Sequence, residues 1–250
     1  MKSGATPRLI VAVPVKDLTH AKQRLTSVLT PDEREELARA MLRDVLRALA
    51  GAHVDRVWVV TRDAAAAAIA RELGAEPVLE AENRGHTAAV ALAQAEATRR
   101  GARGFLTVPG DVPCVTADEL GQIIEGVREG APVFVPSRSG LGTNGVALAP
   151  PDAMPLTFGE PSFARHLAAA RQRGLAPRVL SLPGLGLDVD APEDLTTLLA
   201  ERSATETRRL VSSWRERGGR HPQPAGQAAS ATGQPRREPG HNTSSQNAPR

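Results

Sequence analysis

The chain has a single cysteine, Cys114, among 250 residues, which excludes an internal disulfide framework and suits a reducing compartment. His86 and His166 have no motif tying them to that thiol, so Cys114 reads as a small buried filler rather than a nucleophile. No run of about 18 apolar residues occurs, and the N-terminus MKSGATPR lacks a signal-peptide core. The expectation is a soluble cytoplasmic protein with no membrane partner. GxxxxGK[ST] and GxGxxG are also missing, which removes the P-loop and the Rossmann fingerprint. No nucleophile–base triad is recognisable.

Aliphatic residues become scarce near the end. The alternation of apolar runs and helical patterns stops at Ala200, and Trp214–Arg250 is rich in Gly, Pro, Ser, Gln and Arg. Such a segment cannot bury enough apolar surface to offset its ordering entropy. The expected organisation is a domain over residues 1–200 and a basic, disordered tail over 201–250, with 201–213 open to extending the last helix. Nine arginines against four glutamates beyond residue 200 put about +5 there, leaving the rest near −2 of the chain's +3. With one aromatic and no dense Lys/Arg block, the tail reads as solvated overhang rather than a nucleic-acid partner.

What is present is a series of strand-like runs, each followed by a polar turn. Leu9–Val13 suits a strand buried on both faces, and Lys16, Lys22 and Arg24 cluster just past it, able to hold phosphates by charge-assisted hydrogen bonds. Thr30, Pro31 and Glu33 open a helix with a capping box and Pro at N1. Arg56–Thr61 and Glu76–Leu79 read as strands. Between the latter and an alanine-rich helix, Asn83, Gly85, His86 and Thr87 form a loop at a helix N-terminus, suited to an anion or a base. His86 itself reads as a loop histidine.

Gly104–Thr116 organises the chain: a short apolar strand stops at Pro109 and Gly110, and Asp111 follows at once. In open α/β sheets ligands bind beyond the carboxyl ends of the strands, which is where Asp111 falls. After a strand over 132–136, Ser137–Val146 reads as a small-residue loop in which Gly142, Thr143 and Asn144 can approach a ligand. Ser162, opening a helix after Gly159, is either its N-cap or a phosphate contact. Asp188 and Asp190, two apart, share a side of an extended chain. With Asp111 they make an oxygen set for Mg²⁺, which takes one or two carboxylates plus substrate phosphates and water.

The motifs VPVKDLTHAKQRL, LTPDEREELARAMLRDVL, VWVVTRD, VPGDVPCVT, GLGTNGVAL, FGEPSFARHLAAA and LDVDAPEDL, over about residues 8–199, resemble those of the 2-phospho-L-lactate guanylyltransferases and their phosphoenolpyruvate-using relatives in coenzyme F-420 biosynthesis. The resemblance implies an α/β protein: a three-layer α/β/α, GT-A-type nucleotidyltransferase fold with a mostly parallel central sheet. It implies transfer of GMP from GTP to a small phosphorylated carboxylic acid, with Mg²⁺ as cofactor. Lys16, Lys22 and Arg24 would contact the triphosphate, and Asp111 and Asp188, with Asp190 as a third ligand, the metal. Thr143, Gly159 and Ser162 would hold the phospho-acid, and Asn83, Gly85, Thr87 and Pro109 would lie at the nucleotide.

Where the family commonly reads G-L-N, this chain has Gly85-His86-Thr87, and where it reads P-A-D-L-P, this chain has Pro109-Gly110-Asp111-Val112-Pro113. Those departures leave 3-phospho-D-glycerate beside 2-phospho-L-lactate and phosphoenolpyruvate as acceptors, and a homodimer stays open. The rival readings are another nucleotidyltransferase, disfavoured because the first loop lacks GGxSxRxG, and a non-catalytic nucleotide-binding protein.

Overall fold

The computed structural model describes residues 8–82 and 84–218. Seven strands, β1 (Leu9–Pro14), β2 (Arg56–Thr61), β3 (Glu76–Leu79), β4 (Gly104–Thr107), β5 (Val133–Pro136), β6 (Thr143–Leu148) and β7 (Arg178–Val179), form one sheet in the order β3-β2-β1-β4-β6-β5-β7. β6 runs antiparallel to β4 and β5, and the remaining pairs are parallel. The helices are α1 (Pro31–Gly51), α2 (Ala64–Glu72), α3 (His86–Arg99), α4 (Ala117–Arg128), α5 (Ser162–Gln172), α6 (Pro183–Gly186), α7 (Pro192–Ala200) and α8 (Glu206–Glu216).

Alternation along the strands builds two cores. Leu9, Val11 and Val13 of β1 face one side, with Leu37 and Met41 of α1, Ile69 of α2, Ile123 of α4 and Val211 of α8. Ile10 and Ala12 face the other, with Trp58, Phe105, Phe134, Val90 of α3 and Ala170 of α5. A sheet covered on both faces explains why its strands read as unbroken apolar runs. This is the three-layer, mostly parallel α/β/α arrangement that the sequence implies. The Thr30 cap forms as read, closing a capping box with Glu33, and Thr116 closes a second with Glu119.

Two expectations are corrected. Residues 143–146, read as loop, belong to β6, which is buried throughout. Its small residues reflect tight packing: a Cβ on Gly145 would lie 2.9 Å from Leu185 and 3.1 Å from Val135. The ordered chain also continues past residue 200. Asp44 of α1 accepts hydrogen bonds from the Glu206 and Thr207 amides (2.9 and 2.8 Å) and the Thr207 hydroxyl (2.7 Å), anchoring the N-terminus of α8. Val211 and Trp214, the latter 3% exposed, then complete the α1 side of the core. The rest of the expected tail, 219–250, lies outside the described residues. Trp214→Ala is expected to destabilise the fold by about 3 kcal/mol, seen as a lowered urea midpoint with an unchanged slope.

Candidate functional site

The carboxyl ends of β1 and β4 lie side by side, and the segments leaving them build the site. The loop after β1 is tethered where the Leu18 amide donates to Asp63 Oδ2 (2.9 Å) and where Arg34 Nη1 donates to the Ala21 carbonyl (2.9 Å). Lys22 opens a short 3-10 turn, Gln23–Leu25, in the left-handed region (φ 54°, ψ 45°). After β4, the Asp111 carbonyl accepts from the Val189 amide (3.0 Å). That bond draws the segment containing Asp188 and Asp190 to the end of the central strand.

α6 sets this segment's path. The Glu119 carboxylate accepts from the Gly184 and Leu185 amides (2.7 and 3.0 Å), capping α6. Asn144 on β6 donates to the Leu185 and Gly186 carbonyls and to Asp188 Oδ1 (3.0, 3.2 and 3.0 Å). Asp194, rather than Asp190, caps α7, accepting from the Asp190 and Ala191 amides (3.0 and 2.8 Å). Asp190 is thereby left for the site. A Cβ on Gly184 would run into the Cys114 carbonyl. Gly184→Ala must therefore shift α6 off Glu119, and a loss of roughly 2 kcal/mol is expected, together with reduced turnover because residues 188–190 move with it; thermal melts and steady-state rates check both.

Lys22 is the electrostatic centre. Its ammonium, 7% exposed, donates to Asp111 Oδ2 and Asp190 Oδ1, both at 2.6 Å. Burial alone would lower the Lys22 pKa, but the two carboxylates more than reverse this and hold it above the ordinary lysine value. The second oxygen of Asp111, Oδ1, is buried and takes no hydrogen bond from the described residues. Burial first, and then the charges of Asp111 and Asp190, push the Asp188 carboxyl above its usual range against the Asn144 hydrogen bond. The two carboxylates that share the Lys22 ammonium, together with the unpaired Oδ1 of Asp111, offer oxygens to a divalent cation. No group of three or more His, Cys, Asp or Glu side chains placed to hold a metal ion occurs among the described residues. Mg²⁺ does not need one, because it completes its shell with phosphates and water.

Two clefts meet here. One, about 350 Å³, is lined by Pro14, Val15, Lys16, Lys22 and Gly110. The other, about 550 Å³, is lined by Arg24, Ser137, Gly142, Thr143, Asn144, Gly159 and Ser162. His86, Pro109, Asp111 and Asp190 line both, so the Asp111 carboxylate stands at the junction of two binding spaces.

The structure brings together most residues singled out from the sequence and redistributes some. Thr143, Gly159 (φ +99°, a glycine conformation) and Ser162 share the larger cleft. Lys16 and Lys22 line the smaller cleft while Arg24 lines the larger, so the three cations do not form one cluster. Lys22 bridges the acids expected to bind metal. Ser162 is not the N-cap of α5; Pro161 holds that position, and the Ser162 hydroxyl lies 3.0 Å from Thr143 Oγ1. Thr87 lines neither cleft; its hydroxyl accepts from the Phe158 amide (2.9 Å), tying α3 to the loop before α5. Gly85 is the N-cap of α3 (φ 90°). Asn83 lies outside the described residues.

Three further residues matter: Asn144 and His86 read from the sequence only as loop residues able to approach a ligand or an anion, and His166 has no site role there. Asn144 orients Asp188, as above. His86, read as a loop histidine, lies between the clefts with its ring 4.4 Å from that of Phe158. Burial chiefly, with Lys16 adding to it and Asp111 opposing, lowers its pKa to about 4. His166, 2% exposed, sits beneath Thr143 and is also lowered to about 4, by burial and then by Arg165. A histidine held neutral when folded takes up a proton more readily when unfolded. His166 therefore contributes stability that is full above about pH 6.5 and declines as pH falls toward 4, by at most about 1.4 kcal/mol per pH unit. Urea titrations at pH 7.5, 6 and 5 should show that decline in the wild type and a flatter profile in His166→Gln.

Residues 9–216 match the family model described as "Guanylyl transferase CofC like". A phosphoenolpyruvate guanylyltransferase of Sphaerobacter thermophilus is 43% identical over 190 residues, covering 76% of this chain and 91% of that protein. A 2-phospho-L-lactate guanylyltransferase of Methanothermobacter thermautotrophicus is 36% identical over 203 residues, covering 81% and 89%. Among solved structures, one from Desulfovibrio desulfuricans G20, described as a nucleotide-diphospho-sugar transferase, superimposes with a TM-score of 0.70 at 17% identity, covering 84% of this chain and 96% of that one. A CMP:2-keto-3-deoxy-manno-octonic acid synthetase complexed with CTP gives a TM-score of 0.52 at 15% identity, covering 77% and 97%. At such identities the structural likenesses establish the fold, a nucleotidyltransferase fold, while the sequence match over most of the described chain goes further: this chain belongs to the CofC-like guanylyl transferase family.

Proposed function

We propose that this chain transfers GMP from GTP to the phosphate of a small phosphorylated carboxylic acid, phosphoenolpyruvate first among the candidates, and releases pyrophosphate, a step of coenzyme F-420 biosynthesis. The observation that carries the reading is the pair of clefts meeting at Asp111, which suits a reaction joining two phosphorylated substrates. Family membership supplies the chemistry, and the phosphoenolpyruvate-directed names of relatives 40–43% identical favour that acceptor. GTP is assigned to the cleft with Lys16 and Lys22, and the acid to the cleft with Thr143, Gly159 and Ser162.

In this reading an oxygen of the acceptor phosphate attacks the α-phosphorus of GTP. A new P–O bond forms, the bond from the α-phosphorus to the oxygen bridging to the β-phosphorus breaks, and pyrophosphate leaves with that electron pair. The acceptor phosphate is a dianion near neutral pH, so no side chain need act as nucleophile or base; alignment and charge neutralisation carry the rate. Mg²⁺, held by Asp111 with Asp188, would neutralise the phosphate charge at the reacting centre. Lys16 and Lys22 place fixed positive charge along the nucleotide phosphates. Asn144 keeps Asp188 aimed, and the Ser162 hydroxyl, backed by Thr143, fixes the acceptor.

The test is pyrophosphate release from GTP and Mg²⁺ supplied separately with phosphoenolpyruvate, 2-phospho-L-lactate and 3-phospho-D-glycerate. Release with phosphoenolpyruvate exceeding the other two is expected. Release with only another acid would replace the acceptor. Silence with all three while GTP still binds would favour a non-catalytic nucleotide-binding protein.

A further inference from the structure

We propose that His166 is a positioning residue that sets the direction of a buried hydroxyl chain, so that Ser162 presents its O–H as a donor to an anionic group in the larger cleft. The inference rests on the reading of that cleft as the acceptor's. The Thr157 backbone amide lies 3.0 Å from His166 Nε2. An amide can only donate, so Nε2 is the unprotonated nitrogen and the neutral ring carries its proton on Nδ1. Nδ1 lies 3.0 Å from Thr143 Oγ1 and must donate to it. The Thr143 hydroxyl then has its own proton to place, and Ser162 Oγ is 3.0 Å away. With Thr143 donating to Ser162, every member is satisfied and the Ser162 proton is left for the cleft, which both residues line.

The fold holds each link in place. Ser162 and His166 are four residues apart on α5, hence on one face, and Thr143 is the first residue of β6. The His166 ring is stacked against Phe134 (centroids 6.0 Å) and meets the edge of Phe158 (5.2 Å), which fixes its plane. A chain with its polarity set in advance loses no reorganisation energy when a carboxylate or phosphate arrives. Reversed, it would turn an oxygen lone pair toward that anion. The histidine acts through Thr143 and Ser162 and touches no reacting atom.

The test uses steady-state kinetics on the full chain with GTP, Mg²⁺ and phosphoenolpyruvate, after thermal melts of each variant. His166→Gln can still accept from Thr157 but loses the donor at the Nδ1 position. It is expected to raise KM for the phospho-acid about 10- to 100-fold, the range for a hydrogen bond to a charged group, with KM for GTP changed less than about twofold. His166→Asn, whose amide can donate from near that position, should recover most of the loss. In a Ser162→Ala background, His166→Gln should change the phospho-acid KM by less than about twofold, because its route is already cut. An equal effect with and without Ser162, a parallel rise in KM for GTP, or no recovery with Asn would overturn the inference. A wild-type chain that turns over no phospho-acid fails the functional reading instead, and the inference falls with it.

Discussion

Asp111→Asn is expected to cut pyrophosphate release about 10³-fold while leaving the fold intact. Asp111 is placed at the cleft junction by the end of β4, and its carboxylate serves two partners: Oδ2 receives the Lys22 ammonium, and Oδ1 is buried without one. The amide keeps the volume and one acceptor oxygen for Lys22 but removes the charge that the proposed Mg²⁺ needs. The bond that pins residues 188–190 uses the Asp111 backbone carbonyl, so it survives the substitution. The loss should fall on kcat, with GTP binding weakened less. Circular dichroism and a melt close to wild type would confirm that chemistry, not folding, was removed. Wild-type turnover in Asp111→Asn would remove Asp111 from the mechanism.

Lys22→Gln should have two separable effects. Without the ammonium, Asp111, Asp188 and Asp190 face one another with no cation between them. Removing one partner of a buried charge pair costs several kcal/mol, but the Asp190 side chain is 42% exposed, and water screens part of the repulsion. The expected loss is about 1–3 kcal/mol, or several degrees in Tm. Millimolar Mg²⁺ should restore more of that loss in the variant than it adds to the wild type, because the cation then meets less competition for the carboxylates. Turnover should stay about 10²-fold down even with Mg²⁺, since a positive charge beside the proposed triphosphate site is gone. Equal Mg²⁺ stabilisation of variant and wild type would mean that Lys22 and the cation do not share these carboxylates.

The fold was legible wherever a segment's burial matched its local chemistry. The capping box at Thr30, the apolar runs of β1 and β2 and the turn at Asp111 follow from spacing alone. β6 was not legible because Thr143, Asn144 and Gly145 are small and polar. They form a central strand because β4 and β5 pair with it on both sides and because Leu185 and Val135 leave no room for a larger residue than Gly145. The boundary at 200 misled for a related reason. α8 is polar around most of its surface, and its place depends on an anchor, Asp44, 162 residues earlier.

The site divides along the same line. Asp111 could be singled out because it follows a strand-like run, and Asp188 and Asp190 because they share a side of extended chain. Their tie through Val189, and the bridging of two of them by Lys22, depend on contacts distant in sequence. His166 offers only a spacing signal, four residues after Ser162. Its partner Thr143 lies 23 residues away, so the hydroxyl chain exists only once β6 and α5 have packed.

The measurement that most directly tests the central claim, direct transfer between two substrates at the cleft junction, is the stereochemical course at the α-phosphorus. It requires GTP carrying a chiral α-phosphorothioate, phosphoenolpyruvate as acceptor, and phosphorus NMR of the product. A single in-line displacement gives inversion of configuration, and inversion is the expected result. Retention would require two displacements through a guanylylated side chain, contradicting a site in which Asp111, Lys16 and Lys22 act by charge and alignment alone.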